Sequence, residues 1–272
     1  MSQHREKQDT IFTEEEHENE HWSQVFQREL EHPNDGEYAT AWWEDCYQEL
    51  VTVVDSHISQ QDMHAVLEAG CGSGKATLLL KTPFQRIVLL DFSDAALQYA
   101  RYLGERYEKK NVETICANIF SLPFQDQTFQ FTWNTGVLEH YDPKQIIALL
   151  MEMLRVTTDN GWIGFGVPNK KSLPIIKAKI LGHRFWGIFF PFIKGYRLDS
   201  EKFYSNSELA SFLDIAASRM GIKIQSLRIH WVGNPLFVGT PGWLIRMTNL
   251  IAKYIPQRKF LILFMAKISR KK

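Results

Sequence analysis

Three cysteines in 272 residues are few, and their positions, 46, 71 and 116, show no metal-ligand spacing. An odd, sparse set excludes a disulfide framework and a thiolate metal site, and it fits a reducing compartment. The N-terminal stretch is polar and acidic and lacks the basic and apolar segments of a secretory leader. Apolar runs of membrane-spanning length are missing too: Ile180 to Ile193 is too short and contains His183 and Arg184. Net charge is absent, with 31 Lys+Arg against 31 Asp+Glu, and no internal repeat is visible. These absences lead to the expectation of a soluble, cytoplasmic protein without a metal.

What is present is 44% hydrophobic content, enough for one large α/β core with decorations. The charge that cancels overall is unevenly laid out. Residues 1–35 hold ten acids and three Lys/Arg, whereas residues 170–272 hold nineteen Lys/Arg and four acids. Residues 1–20 are polar and are expected to fray. Apolar residues return at Trp22, Val25, Phe26 and Leu30, then at Tyr38, Trp42, Trp43, Tyr47, Leu50, Val51 and Val54. The second set recurs every three or four residues and predicts an amphipathic helix, with a turn at "HPNDGE" before it. The division expected is a disordered start with an N-terminal helical cap over 1–60, then one domain over 61–272.

From residue 61 the pattern alternates. Strands are predicted at 65–69, 86–91, 112–117, 129–133 and 161–167, and helices at 75–82, 94–109 and 143–157. Alternation of this kind implies a parallel sheet with both faces covered, and ligands at the carboxyl ends of its strands. Residues 169–204 are rich in Lys, aromatics and Pro in irregular order. Beyond them Ser207 to Met220 predicts a helix, Ile222 to Trp231 a strand, and Phe260 to Ile268 a buried final strand.

The stretch "VLEAGCGSGKATLLL" joins the first strand to a helix through glycines at 70, 72 and 74. A phosphate-binding P-loop needs a glycine at 69 and a hydroxyl at 76, and both positions are Ala. A dinucleotide fingerprint needs its third glycine at 75, which is Lys. Glu68, two residues before Gly70, would repel a pyrophosphate and attract a cationic ligand. Asp91, at the carboxyl end of the second strand, can accept both hydroxyls of a ribose, and Phe92 beside it can cover an adenine.

These residues resemble the class I S-adenosylmethionine-dependent methyltransferases, whose first motif is E/D-x-G-x-G-x-G. The resemblance continues in "ANIFSLPFQDQTFQFTWNTGVLEHYDP", where Leu122-Pro123-Phe124 and Val137-Leu138-Glu139-His140 match, and spans about Val66 to Val167. It implies a Rossmann-like, doubly wound, mostly parallel seven-stranded sheet whose last strand is antiparallel. It also implies a cap inserted after the fifth strand, at 169–204. The donor, S-adenosylmethionine, is expected at Glu68, Gly70, Cys71, Gly72, Asp91, Phe92, Asn118, Ile119 and Asn134. Asn118 stands where the family usually has Asp; an amide can meet an adenine edge without charge.

The resemblance implies methyl transfer to an oxygen or nitrogen of a small molecule or natural product. A related implication is N-methylation of an azole-modified peptide antibiotic of the plantazolicin type, and a non-catalytic donor-binding or scaffold role is a third reading. His140 is the candidate base, set against a role in the turn. Tyr38, Trp42, Trp43, Tyr196 and Tyr204 are candidates for an aromatic lid, set against core packing, and Arg197 for binding a substrate carboxylate. Nucleic acid is disfavoured: no [DNS]-P-P-[YF] follows the fourth strand and no Pro-Cys occurs. The apolar stripe Trp243, Leu244, Met247, Leu250, Ile251 and Tyr254, with Arg246, Lys253, Arg258 and Lys259 around it, has two readings. Packing on the sheet or on a second subunit is favoured over contact with an anionic membrane.

Overall fold

In the computed structural model, residues 22–31, 40–182, 201–238, 240–252 and 254–270 are described. Tyr38, Tyr196 and Arg197 lie outside them, as do the "HPNDGE" turn and much of the expected inserted cap.

The strands are β1 (Ala65–Ala69), β2 (Arg86–Asp91), β3 (Val112–Cys116), β4 (Phe129–Thr135), β5 (Thr157–Pro168), β6 (Ile222–Val232) and β7 (Leu261–Arg270). They form one sheet in the order β3-β2-β1-β4-β5-β7-β6. The first five pair in parallel, and β7 runs antiparallel to both β5 and β6. The expected Rossmann-like fold with an antiparallel last strand is therefore the observed one. Strand order reverses between β1 and β4, and the crevice that opens at such a reversal is where ligands bind in open α/β sheets.

Side chains alternate between two layers, as the strand period requires. Val66, Ile87, Leu89, Leu263 and Met265 join one core, with helices α2 (Ala41–Ile58), α3 (Lys75–Leu78) and α4 (Asp94–Arg106). Leu67, Val88, Leu90, Phe264 and Ala266 join the other, with α5 (Pro143–Val156) and α7 (Asn206–Arg219). Phe129 and Phe131 fall in different layers although two residues apart, because the β4–β5 register shifts between them. The remaining helices are α1 (22–31), α6 (Leu173–Gly182) and α8 (Gly242–Ala252).

The helices start where side chains can take up free amides. Ser93 caps α4 by accepting from Ala96 N. Asp142 and Gln145 form a capping box on α5, with Pro143 in its first turn, and Ser205 and Glu208 form another on α7. α2 is built into the same core as the sheet, through Trp42, Cys46, Leu50, Val51, Val54 and Ile58.

Candidate active site

The glycine loop after β1 closes back on the end of β2. Gly70 and Cys71 both donate their amides to Leu90 O, at 2.8 and 2.9 Å, and Gly72 N donates to Asp91 Oδ2 at 2.8 Å. Gly70 and Gly72 have φ of +76° and +50°, which residues with a Cβ rarely adopt. Asp91 also accepts Ser93 N through Oδ1 at 3.0 Å. The carboxylate thus fixes both the loop and the start of α4, and keeps lone pairs to spare. Burial pushes its pKa up, against the pull of these amides.

Glu68 sits beneath the loop. Its Oε2 accepts Thr77 Oγ1 at 2.5 Å and Thr77 N at 3.4 Å, and Trp133 Nε1 donates to the same Thr77 hydroxyl at 2.8 Å. Burial raises the Glu68 pKa to about 8. Lys75, which gives the loop its G-K resemblance to a phosphate site, instead pairs with Glu44 at 3.6 Å and lies over the Tyr47 ring.

Around this loop is a cavity of about 210 Å³ at the carboxyl ends of β1, β2 and β4. It brings together Glu68, Gly70, Cys71, Gly72, Asp91, Phe92 and Ile119 of the expected donor residues, with His140 and Trp43. Four expected residues do not line it. Asn118 Oδ1 accepts Phe120 N at 2.8 Å in a local turn. Asn134 is fully buried, and its amide points to Met153 Sδ at 3.3 Å, toward α5. Trp42 is wholly buried, with Nε1 donating to Leu236 O at 2.7 Å and its ring against Phe260. Core packing, the alternative to a lid, is thus Trp42's role, while its neighbour Trp43 reaches the cavity. Tyr204 donates to Tyr141 O at 2.8 Å and is absent from the lining.

Several lining residues were not singled out from the sequence. Glu139, in the one-turn helix Leu138–His140, is buried, and burial raises its pKa to about 8. Among the described residues its Oε2 has no hydrogen-bond partner. In sequence it stands in the matched Val137-Leu138-Glu139-His140 segment, where His140 is the candidate base. Trp22 and Phe26 enter from α1 and Phe260 from just before β7, while Tyr47, which shares the aromatic stripe of α2 with Trp43, lines the cavity beside it. Trp22 meets His140 edge-on, with centroids 5.8 Å apart. The i, i+4 spacing of Trp22 and Phe26 marks a helix face but not its destination.

Among the described residues, three carboxyls and no Lys or Arg line this cavity. A phosphate-bearing ligand would find no Lys or Arg there, whereas a cation would favour the ionised forms of the buried Glu68, Asp91 and Glu139. The residues therefore fit the ammonium and sulfonium of S-adenosylmethionine. The family comparison agrees: residues 66–161 match the model of a methyltransferase domain. The core of this chain is a class I S-adenosylmethionine-dependent methyltransferase domain.

Similar proteins extend beyond the matched segment. An uncharacterized protein of Methanocaldococcus jannaschii is 32% identical over 59% of this chain and 65% of its own length. A protein of Mycobacterium tuberculosis, named as a probable S-adenosylmethionine-dependent methyltransferase, is 30% identical over 39% of this chain and 36% of its own. The chain thus spans less than two thirds of either relative. A methyltransferase structure from Thermotoga maritima shares the methyltransferase fold with a TM-score of 0.56, at 14% identity, over 90% of this chain and 98% of that one. No helix among the described residues is long and apolar enough to cross a membrane.

Proposed function

We propose that this methyltransferase domain moves a methyl group from S-adenosylmethionine to an oxygen or nitrogen of a small molecule or natural product. The observation that carries the reading is the carboxylate-lined, cation-seeking cavity beside the open glycine loop. Asp91 would hold the ribose hydroxyls, Phe92 and Ile119 the adenine, and the loop backbone with Glu68 and Glu139 the cationic end. The donor supplies a methyl already activated on sulfur, so the chain's task is to align the acceptor and exclude water.

The acceptor side supports a flat or apolar partner. Trp22, Phe26, Trp43 and Tyr47 give an aromatic wall, and Tyr141 and Phe260 extend it. An acceptor that must lose a proton has two groups within the lining to take it, His140 and Glu139. Glu139, with its raised pKa and its unpartnered oxygen, is suited to hold that proton near neutral pH. Asn118 is outside the cavity lining, and its Oδ1 accepts Phe120 N in a local turn.

Calorimetry with S-adenosylmethionine and S-adenosylhomocysteine tests the donor part. Mass spectrometry of incubations with phenol, quinol and amine panels tests the transfer. Binding without methylation of any acceptor would favour the non-catalytic reading, and absence of binding would overturn the proposal.

A further inference from the structure

The stripe on α8 is not packed on the sheet. Trp243, Met247, Leu250 and Ile251 are 60%, 59%, 69% and 61% exposed, and Tyr254, just past the helix, is 75% exposed. Their spacing of four, three, one and three residues puts them on one side of an α-helix. The opposite side faces inward through Ile245 and Ala252, each 3% exposed. Five large apolar or aromatic side chains in one exposed row are the kind of surface that marks an interaction face.

The charge around the row identifies what covers it. The segment that carries the row, residues 240–258, contains Arg246, Lys253 and Arg258 and no Asp or Glu. Arg246 lies on the helix, and Arg258 follows it; both are exposed. A second copy would set the exposed Arg246 and Arg258 of one face against those of the other and add repulsion to the contact. An anionic surface removes that repulsion and takes the apolar row at once. Trp243 and Tyr254 bracket the row, with Leu250 and Ile251 between them, the distribution that interfacial segments use. The helix has 11 residues, about 16 Å in length, which is too short to span and long enough to lie in the plane of a leaflet.

We infer that α8 is an in-plane anchor that docks this protein on an anionic phospholipid surface. Its inner side is fastened for that purpose. Asn249 Nδ2 donates to Asp45 Oδ1 at 2.7 Å, and Asn234 Nδ2 donates to Asn249 Oδ1 at 3.0 Å. The helix is thereby tied to α2 and to the turn after β6, next to Cys46 and Gly233 of the cavity wall. The inference does not depend on the methyl-transfer reading, because docking is read without donor or acceptor.

The test uses the full chain and flotation with vesicles of phosphatidylcholine alone, or of phosphatidylcholine and phosphatidylglycerol in equal parts. The chain is expected to float with the mixed vesicles, to stay behind with the neutral ones, and to be released by high salt. The double variant Leu250→Ser, Ile251→Ser should lose at least roughly tenfold in partitioning, given the apolar area removed. Arg246→Glu should also weaken it. Both sites are exposed, so circular dichroism melts should match the parent. A chain that ignores mixed vesicles, or a double variant that binds them as well as the parent, overturns the inference. So does a concentration-dependent dimer that the double variant abolishes, since that would assign the row to a second copy.

Discussion

The ring of Phe26 lies directly on the backbone of Gly72: a Cβ added to that glycine would stand 2.8 Å from Phe26 Cζ. A residue from the first described helix thus touches the centre of the glycine loop. Gly72 also turns with φ of +50° and gives its amide to Asp91. Gly72→Val should therefore abolish calorimetric binding of S-adenosylhomocysteine while leaving the far half of the sheet protected in hydrogen exchange. Normal binding by a folded variant would show that the loop is only a turn.

The same contact predicts a response in α1. When S-adenosylhomocysteine is added, residues 22–31 should gain hydrogen-exchange protection together with residues 68–74. Protection confined to the loop would show that α1 packs there without sensing the ligand.

Asp91→Ala should weaken binding of donor and by-product by about 1.5–3 kcal/mol, the range for hydrogen bonds to a charged group. Part of this loss comes through the loop, since Gly72 N and Ser93 N lose their acceptor. Asp91→Asn keeps one acceptor oxygen and should recover part of the melting temperature but little of the affinity.

Glu68 and Glu139 make stability pH-dependent in an unusual direction. Each has its pKa raised from 4.5 to about 8 by burial. Between those values the folded chain holds more protons than the unfolded one, so these groups lower stability as pH rises. The ligand-free melting temperature should fall across that window, and Glu139→Gln should flatten the fall. A cationic ligand prefers the ionised carboxylates, so its affinity should rise over the same range, with proton release visible in buffers of different ionisation enthalpy. A pH-independent melt and affinity would contradict both assignments.

Thr77 joins Glu68 to Trp133 with a single hydroxyl. Thr77→Val should lower unfolding free energy by about 2–4 kcal/mol in urea titrations, because two buried polar groups lose one partner. Thr77→Ser, which keeps the hydroxyl, should restore most of it.

The parallel strands could be read from the sequence because each is a short, nearly continuous apolar run between turn residues. Errors fall where polar residues belong to strands or where a distant group ends a helix. β5 begins at Thr157 rather than 161, since its polar start is held by tertiary contacts; Arg270 N, for example, donates to Asp159. The helix read as 75–82 stops at Leu78, and Asp55 of α2 takes the amides of Lys81 and Thr82.

The cavity lining was legible where it is contiguous in sequence, as in Glu68 to Gly72 and in Asp91. It was not legible where parts arrive from elsewhere. Trp42 and Trp43 look alike in a helical stripe, yet one residue of helix rotation puts the first in the core and the second at the cavity. Phe26 and Phe260 reach that cavity from opposite ends of the chain, which no local pattern records.

The last strand to be made is not the last in the sheet. β7 lies between β5 and β6, and among the described residues β6 pairs with no other strand. As the chain leaves the ribosome, β5 waits with a bare edge and β6 has nowhere to bond until residues 261–270 emerge. Vectorial synthesis therefore cannot finish this domain from its N-terminus onward. Phe260 and Leu261, which complete the cavity wall, arrive with that same segment. A nascent chain stalled before it would be both without its pocket and sticky along β5, a natural client for chaperones that cover exposed strand edges.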